Sequence, residues 1–333
     1  MATYLEEVLA DNPSFVLTMG EASGNLSDLI DAKTATVTGS PTYGATGPVI
    51  GYTAIDFSGD SMYFTVGDDA DLDLGNGNFS IECWHARDVD TGTWEVWFDK
   101  QATAYEIGID NTLDKFTLQK RGVGVLAAST TAVPANGAWH HYVVTRVASP
   151  SVAGDTKIYI DGVLETLTVE TYASSLADNA SSLYIGREGG AGAPASGKLA
   201  WIAIYKGVVL SGTRVTAHYD ARNNLGGPTW TTPADTVAMS TTPDLKFTSP
   251  VSAVKQHFYM ELDTVDTFNS GDLRTYRSDQ DQTNWTYWDG ASWTAMPSDG
   301  LPIAKSGNEV DYTVTSALSA TTWYRRVRAG TLA

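Results

Sequence analysis

Apolar and polar positions alternate with a period of two along most of this chain, in short runs separated by turn residues. Phe79 to Arg87 reads FSIECWHAR, with Phe79, Ile81 and Cys83 on one face and Ser80, Glu82 and Trp84 on the other. That alternation is the mark of a strand rather than a helix. Trp94 to Lys100, Tyr105 to Asn111 and Phe116 to Arg121 follow, at the spacing of about ten residues expected of an antiparallel sandwich. Trp139 to Thr145 is a β-branched and aromatic run, and Lys157 to Ile160 is a second strand ending at Asp161-Gly162, a pair suited to a tight hairpin turn. Tyr52 to Val66 predicts a further hairpin, residues 34–50 a loop with one short strand, and Ser182 to Gly186 and Leu199 to Tyr205 two later strands.

Helical spacing is rare. Tyr4 to Ala10 places Leu5, Val8 and Leu9 on one face, and about Thr213 to Ala221 would turn Val215 and Tyr219 inward. Asn223 to Pro233 is rich in Gly, Pro and Thr and reads as a linker. Beyond it the strand pattern restarts at Ala234–Ala238, Leu245–Thr248, His257–Asp263, Leu273–Ser278, Trp285–Trp288 and Tyr312–Thr315. Trp285, Trp288 and Trp293 are grouped closely enough for a small satellite core. The chain is therefore divided into residues 1–225 and 226–333.

Composition narrows the function classes. A length of 333 residues suits two domains, and 42% hydrophobic residues with 31 glycines suits β-sandwiches with many turns. The net charge is −18, and both parts are acidic, with 13 Lys and Arg against 27 Asp and Glu through residue 226 and 8 against 12 after it. Such a surface repels phosphate backbones, so nucleic acid is not an expected partner. No apolar run reaches the roughly 20 residues of a membrane span, and no secretory leader is visible at the start. The single cysteine, Cys83, excludes an intrachain disulfide and reads as a small buried hydrophobe.

Candidate chemistry is sparse. Asp68, Asp69, Asp71 and Asp73 form an acidic loop that could supply oxygen ligands to Ca²⁺ or be a solvated turn before Leu72 and Leu74. Otherwise no cofactor is expected. His140 and His141 are adjacent and so face opposite sides of their strand; with His85, His218 and His257 scattered, no zinc set is formed. The run from Gly186 to Gly197 joins strand to strand, so it reads as a mobile rim loop rather than a phosphate cradle. Trp84, Trp94 and Trp97, with Trp201, are candidates for stacking on sugar rings. Glu21 reads as a turn-fixing residue.

The pattern "Trp-His-His strand, loop, Tyr-hydrophobic-Asp-Gly" at Trp139–Gly162 resembles the signature of laminin-G-like and pentraxin-like domains. Asp56-Phe57-Ser58-Gly59-Asp60 resembles their first core strand, and the run from Lys198 through the helix near Ala221 resembles their closing element. That resemblance implies a concanavalin A-like jelly roll over residues 1–225, with Ca²⁺ bound near one rim in some relatives. Tyr324, Arg326, Val327 and Ala329 resemble the penultimate strand of fibronectin type III modules, which implies a smaller immunoglobulin/fibronectin-like sandwich over 226–333, its last strand missing or supplied by a partner.

The opening helix, Asp11-Asn12-Pro13-Ser14 and Gly20–Gly24 look like the start of jelly-roll modules in tailed-phage structural proteins. The expectation is thus an all-β, non-enzymatic virion surface protein, a capsid decoration or tail-associated protein in a homo-oligomer or larger assembly. Its partners would be major capsid or tail proteins and host-surface glycans. A Ca²⁺-assisted lectin is the alternative, and a glycoside hydrolase a weaker one. Met260–Phe268 resembles the Glu-x-Asp-x-x-Glu motif of laminarinase-type glucanases through Glu261, Asp263 and Asp266, but Asp266 is one methylene short of the acid/base Glu.

Overall fold

A computed structural model describes residues 3–57, 62–112, 114–172, 175–189, 192–223, 229–232, 244–249, 257–263, 274–278, 284–288, 291–297, 301, 309–313 and 324–330. The chain divides into two compact units, one of Glu6–Arg222 and one of Asn223–Ala333 with Met1–Leu5.

In chain order the elements up to Arg222 are α1 (Tyr4–Ala10), β1 (Phe15–Leu17), β2 (Leu26–Ser27), β3 (Thr34–Thr38), β4 (Thr42–Thr46), β5 (Thr53–Asp56), β6 (Tyr63–Val66), β7 (Phe79–Ala86), β8 (Glu95–Asp99), β9 (Tyr105–Asp110), β10 (Lys115–Lys120), β11 (Gly124–Ala132), β12 (Trp139–Arg146), β13 (Thr156–Ile160), β14 (Val163–Leu164), β15 (Leu167–Glu170), β16 (Leu183–Ile185), β17 (Lys198–Lys206) and α2 (Gly212–Ala221). They build two antiparallel sheets. One runs β14-β13-β12-β7-β17-β5-β4, with β1 also on β17; the other runs β15-β11-β10-β9-β8-β16-β6-β3-β2. Consecutive hairpins such as β8 to β11 and β12 to β14 stay within one sheet, while the chain crosses between sheets at steps including β3 to β4, β5 to β6, β6 to β7, β7 to β8, β11 to β12, β14 to β15 and β16 to β17, as in a concanavalin A-like jelly-roll sandwich.

Between the sheets lies one core, with Phe79, Ile81 and Cys83 of β7 facing Ile107 and Ile109 of β9 and Phe116 and Leu118 of β10. Burial pushes the Cys83 thiol well above its ordinary value. The Asp161-Gly162 turn has φ of 52° and 79°, the two positive values that a two-residue hairpin needs, and it joins Ile160 to Val163. Glu21 accepts a hydrogen bond from the Ser27 amide, which fixes its turn.

Three local readings change. Residues 34–50 hold two strands, β3 and β4, rather than one. Residues 124–132, passed over by the periodicity, form β11, whose consecutively buried Leu126, Ala127, Ala128 and Ser129 break the alternation that advertises a strand. Helix α2 turns Val215 and His218 inward, while Tyr219 is half-buried. Ser211 caps this helix, its hydroxyl accepting from the Arg214 amide.

The second unit contains β18 (Thr229–Thr232), β19 (Asp244–Thr248), β20 (His257–Asp263), β21 (Arg274–Arg277), β22 (Trp285–Trp288), β23 (Trp293–Ala295), β24 (Glu309–Thr313) and β25 (Tyr324–Gly330). Its sheets run β18-β19-β24-β22-β23 and β21-β20-β25, all antiparallel. Part of the expected linker is thus strand β18, and the Ala234–Ala238 candidate lies outside the described residues. The core is built on Leu245, Phe247, Phe258, Met260, Leu262, Trp285 and Tyr312. The satellite core is corrected: Trp285 belongs to this main core, whereas Trp288 and Trp293 are each 37% exposed. They pair across β22 and β23 with ring centroids 5.8 Å apart.

Candidate binding site on the outer face of the nine-stranded sheet

Alternation along β9 and β10 sends Ile107, Ile109, Phe116 and Leu118 into the core, so Glu106 and Gln119 emerge on the opposite face. The two stand directly across from each other in the β9–β10 register. Over them lies a cavity of about 590 Å³ lined by Trp94, Val96, Glu106, Gln119, Arg121 and Glu188 among others, a volume in the range of small-ligand sites.

The walls come from separate parts of the chain. Trp94 immediately precedes β8, next to Glu95, which a charged cluster holds in place. Arg87 donates twice to Glu95, at 2.7 and 2.9 Å, and its guanidinium also reaches Asp90 and Asp114 at 3.0 and 3.1 Å. The opposite wall is the glycine-rich run after β16. It is tied down: the Val96 amide donates to the Ala193 carbonyl at 3.0 Å and the Gly189 amide to Asp99 Oδ2 at 2.7 Å. A mobile rim loop is therefore not what the described part of this run forms. Gly189 has no side chain to spare here, since a Cβ would come within 1.9 Å of the Gln101 side chain.

Arg121 is the hub. Its Nε lies 3.2 Å from Glu106 Oε2 and 3.5 Å from Asp99 Oδ2, and its guanidinium pairs with Glu188. Three carboxylates thus surround one cation. Burial, then the neighbouring Asp99 charge, pushes the Glu106 carboxyl up to about 7, with Arg121 opposing. Asp99 is also raised, by burial, against the amides and Arg121 that favour its charge.

Glu106 Oε2 and Arg121 Nε face each other as an ion pair, whereas the buried Gln119 Nε2 beside them makes no hydrogen bond. Buried polar atoms are paired in nearly all folded proteins, so the open Gln119 amide marks a place where a ligand can complete the bonding.

The raised Glu106 carboxyl predicts a pH-dependent stability term. Below its ordinary value of 4.5 the group is protonated in both folded and unfolded chains. As pH rises the unfolded chain releases its proton first, and the folded chain only near 7. Stability is lost across that window and then levels off. Relative to Glu106→Gln, the wild-type chain is expected to lose about 2 kcal/mol between pH 4.5 and 7.5, after allowing for partial solvent screening. Urea denaturation at both pH values measures it, and equal differences at the two would refute it.

The sequence-predicted sites fall elsewhere. Trp84, Trp97 and Trp201 are 1%, 0% and 1% exposed, so they are core residues and not sugar platforms; only Trp94, half-buried, reaches a cavity. The acidic loop is split between two lysines. Lys33 Nζ lies 2.9 Å from Asp71 and 3.8 Å from Asp69, and Lys100 Nζ lies 2.7 Å from Asp68 and 3.5 Å from Asp73. These ammonium groups stand where a Ca²⁺ ion would have to sit, so the expected Asp68-Asp69-Asp71 calcium loop is instead a lysine-neutralised turn. Among the described residues, no group of three or more His, Cys, Asp and Glu side chains is placed to hold a metal.

Lys100 is fully buried and also donates to the Asn179 and Ser181 carbonyls. Lys100→Met is expected to cost about 2–3 kcal/mol, because it leaves carboxylates and carbonyls facing an apolar stem. Wild-type melting temperature is expected to be unchanged by millimolar Ca²⁺. A calorimetric shift of several degrees on adding Ca²⁺ would contradict this assignment.

Of the glucanase-like residues, Glu261 and Asp263 lie on β20 with side chains outside the described set, and Asp266 lies outside it altogether. The cavity was not predicted as a site. Its one signal was the period-two alternation of β9 and β10, which places Glu106 and Gln119 on the face opposite the core.

Comparison with known proteins agrees with the fold of the first unit. Residues 58–216 match the Concanavalin A-like lectin/glucanases superfamily. None of the curated proteins matches the chain. Among solved structures, the binding domain of Paraclostridial Mosquitocidal Protein 1 aligns with a TM-score of 0.51 and 12% identity, covering 87% of this chain and 68% of that one. The binding domain of botulinum neurotoxin DC, solved in complex with rat synaptotagmin II, gives 0.48 and 11% over 95% and 98% of the two chains. Trypanosoma rangeli sialidase in complex with sialic acid gives 0.45 and 13%, and this chain spans only 33% of its length while 63% of this chain is covered. The family match lies wholly within the first unit, whose two antiparallel sheets agree with a concanavalin A-like jelly-roll sandwich.

Proposed function

We propose that the protein is a non-enzymatic binding and display protein whose jelly roll takes its ligand in the cavity between Trp94, Glu106, Gln119 and Arg121. The observation that carries this reading is the cavity of about 590 Å³ over the cross-strand pair Glu106 and Gln119, where the buried Gln119 Nε2 makes no hydrogen bond. Hydrolysis would need a second carboxylate facing the ligand. Asp99 is fully buried with one oxygen accepting the Gln101 amide and the other the Gly189 amide, at 2.7 Å each, and Glu188 is paired to Arg121. Glu106 alone is a binding contact, not an acid/nucleophile pair.

The setting we propose is the surface of a tailed-phage virion, as a capsid decoration or tail-associated protein. The opening Asp11–Ser14 and Gly20–Gly24 elements and the acidic surface support it. The second unit serves as an immunoglobulin/fibronectin-like spacer, a reading supported by its two antiparallel sheets and the Tyr324–Ala329 run on β25. Ligand binding in the cavity is expected to be independent of Ca²⁺, since lysines occupy the acidic loop. Sedimentation of a producing lysate on a density gradient, with the chain located by mass spectrometry, tests the setting: banding with assembled particles is expected, and a wholly soluble chain refutes it. Loss of ligand binding in Trp94→Ala, measured with and without chelator, tests the site.

A further inference from the structure

We infer that the cavity takes a basic side chain of a partner protein, a lysine or arginine whose apolar stem lies along Trp94 and whose main-chain carbonyl accepts from Gln119. This rests on the reading that the cavity is the binding site. Charge is the first argument. Arg121 is the only Lys or Arg among the described residues that line the cavity, and it is shared by Glu106, Glu188 and the buried Asp99. Three carboxylates against one guanidinium leave negative charge in excess. An anionic ligand would enter against that excess, and a neutral one would leave it unbalanced. Glu106 registers the excess directly. Burial and the Asp99 charge outweigh Arg121 and keep a proton on its carboxyl up to about 7, where a ligand cation would take the proton's place.

The second argument is the open amide. Gln119 is 8% exposed, and its Nε2 is a donor that makes no hydrogen bond. An ammonium or guanidinium offers donors only and cannot satisfy it. The ligand therefore carries an acceptor as well as a cation. A peptide supplies both, in its carbonyl and its basic head. Glu106 and Gln119 are cross-strand partners, whose Cβ atoms stand about 5 Å apart, so the two demands fall within the span of one long residue.

The wall is the third argument. Trp94 and Val96 line the cavity beside the charged groups. Lysine and arginine have an apolar stem behind the charged head, which suits an apolar wall next to an acidic floor. An indole face also attracts the cation itself.

The test titrates capped tripeptides into the full chain and follows them by ligand-observed nuclear magnetic resonance, which reads weak binding. The probes are Gly-Lys-Gly, Gly-Arg-Gly, Gly-Glu-Gly and Gly-Lys-Gly acetylated at Nε, all at pH 8, where Glu106 is ionised. One or both basic peptides are expected to bind, with the acetylated and acidic ones at least about tenfold weaker. Glu106→Gln is expected to weaken the basic peptide about tenfold, as loss of a charged hydrogen-bond partner does. Gln119→Met, which keeps the shape but removes the donor, is expected to cost about fivefold. Trp94→Ala is a further probe at a half-buried position, and near-ultraviolet circular dichroism checks that each variant is folded.

Equal binding of lysine and acetyl-lysine peptides, weakened by Trp94→Ala, would overturn the basic-side-chain assignment while leaving the cavity as the site. Preference for the acidic peptide would do the same. Binding of a basic peptide unchanged in all three variants would place it elsewhere and overturn the cavity reading too. Absence of binding by both basic peptides would overturn the inference.

Discussion

Glu82→Ala is expected to destabilise the first unit by about 3–5 kcal/mol, the cost of breaking a buried ion-paired network from one side. Glu82 lies on the face of β7 turned away from the core and is nevertheless 1% exposed. The Tyr205 hydroxyl donates to its Oε1 at 2.6 Å, His141 Nε2 is 3.1 Å from its Oε2, and His218 Nδ1 is 3.0 Å from the same oxygen. The network continues outward: His218 Nε2 meets Asp11 at 2.9 Å, and Arg214 donates to Asp11 and pairs with Glu7. Burial alone would raise the Glu82 carboxyl, but the His218 charge and the histidine hydrogen bonds outweigh it and hold the group well below the usual range. Removing the carboxylate deprives three buried groups of a common partner at once.

The pH dependence checks the same network. Burial opposes the charge of His218, yet Glu82 and Asp11 raise its pKa above the ordinary 6.5. Stability from the charged imidazole is fully present below 6.5 and is lost as pH rises through the raised value. The wild-type chain should therefore weaken above neutrality more steeply than Glu82→Ala. A loss below about 1 kcal/mol in the variant, or an unchanged pH slope, would show that the network contributes little.

Trp97→Ala is expected to cost a similar 3–5 kcal/mol, the usual range for emptying a large aromatic site. The ring is fully buried, with centroids 4.3 Å from His85, 4.9 Å from Tyr142 and 5.3 Å from Phe116. His85 titrates near 3 in this surrounding, chiefly because burial disfavours its charge, so it packs there as a neutral ring. Trp94→Ala, three residues earlier in the chain and half-buried, is expected to cost no more than about 1 kcal/mol. Urea denaturation of the two variants side by side separates a core tryptophan from a cavity-wall one. Equal costs would contradict these placements.

A β-bulge decides the difference between those two residues. The β8–β9 pairing steps from Val96–Gly108 to Phe98–Ile107, leaving Trp97 as the extra residue. Both Trp97 and Phe98 consequently enter the core, while Val96 lines the cavity. Simple alternation would have put Trp97 and Phe98 on opposite faces. The bulge needs close backbone approach, and Gly108 allows it: a Cβ there would sit 2.1 Å from the Glu95 carbonyl oxygen. A lone glycine within an apolar run was the available sign of this.

Strands β7, β9, β10, β12 and β17, helix α1 and the Asp161-Gly162 turn were legible in the residues themselves, because period-two alternation, helical spacing and turn chemistry are local properties. The division of β7 into a core face and an opposite face was legible too. That the opposite face is also buried was not, since it depends on what covers the sheet. Glu82 meets His141 from 59 residues away and His218 from 136, and Lys33 reaches Asp71 from 38. Such partners are chosen by strand order, which in a jelly roll joins elements distant in sequence. The cavity was decided in the same way. Alternation along β9 and β10 puts Glu106 and Gln119 on the face opposite the core, but only the tertiary structure brings Trp94, Arg121 and Glu188 around them, because burial and charge pairing are properties of the assembled sheets and not of any one strand.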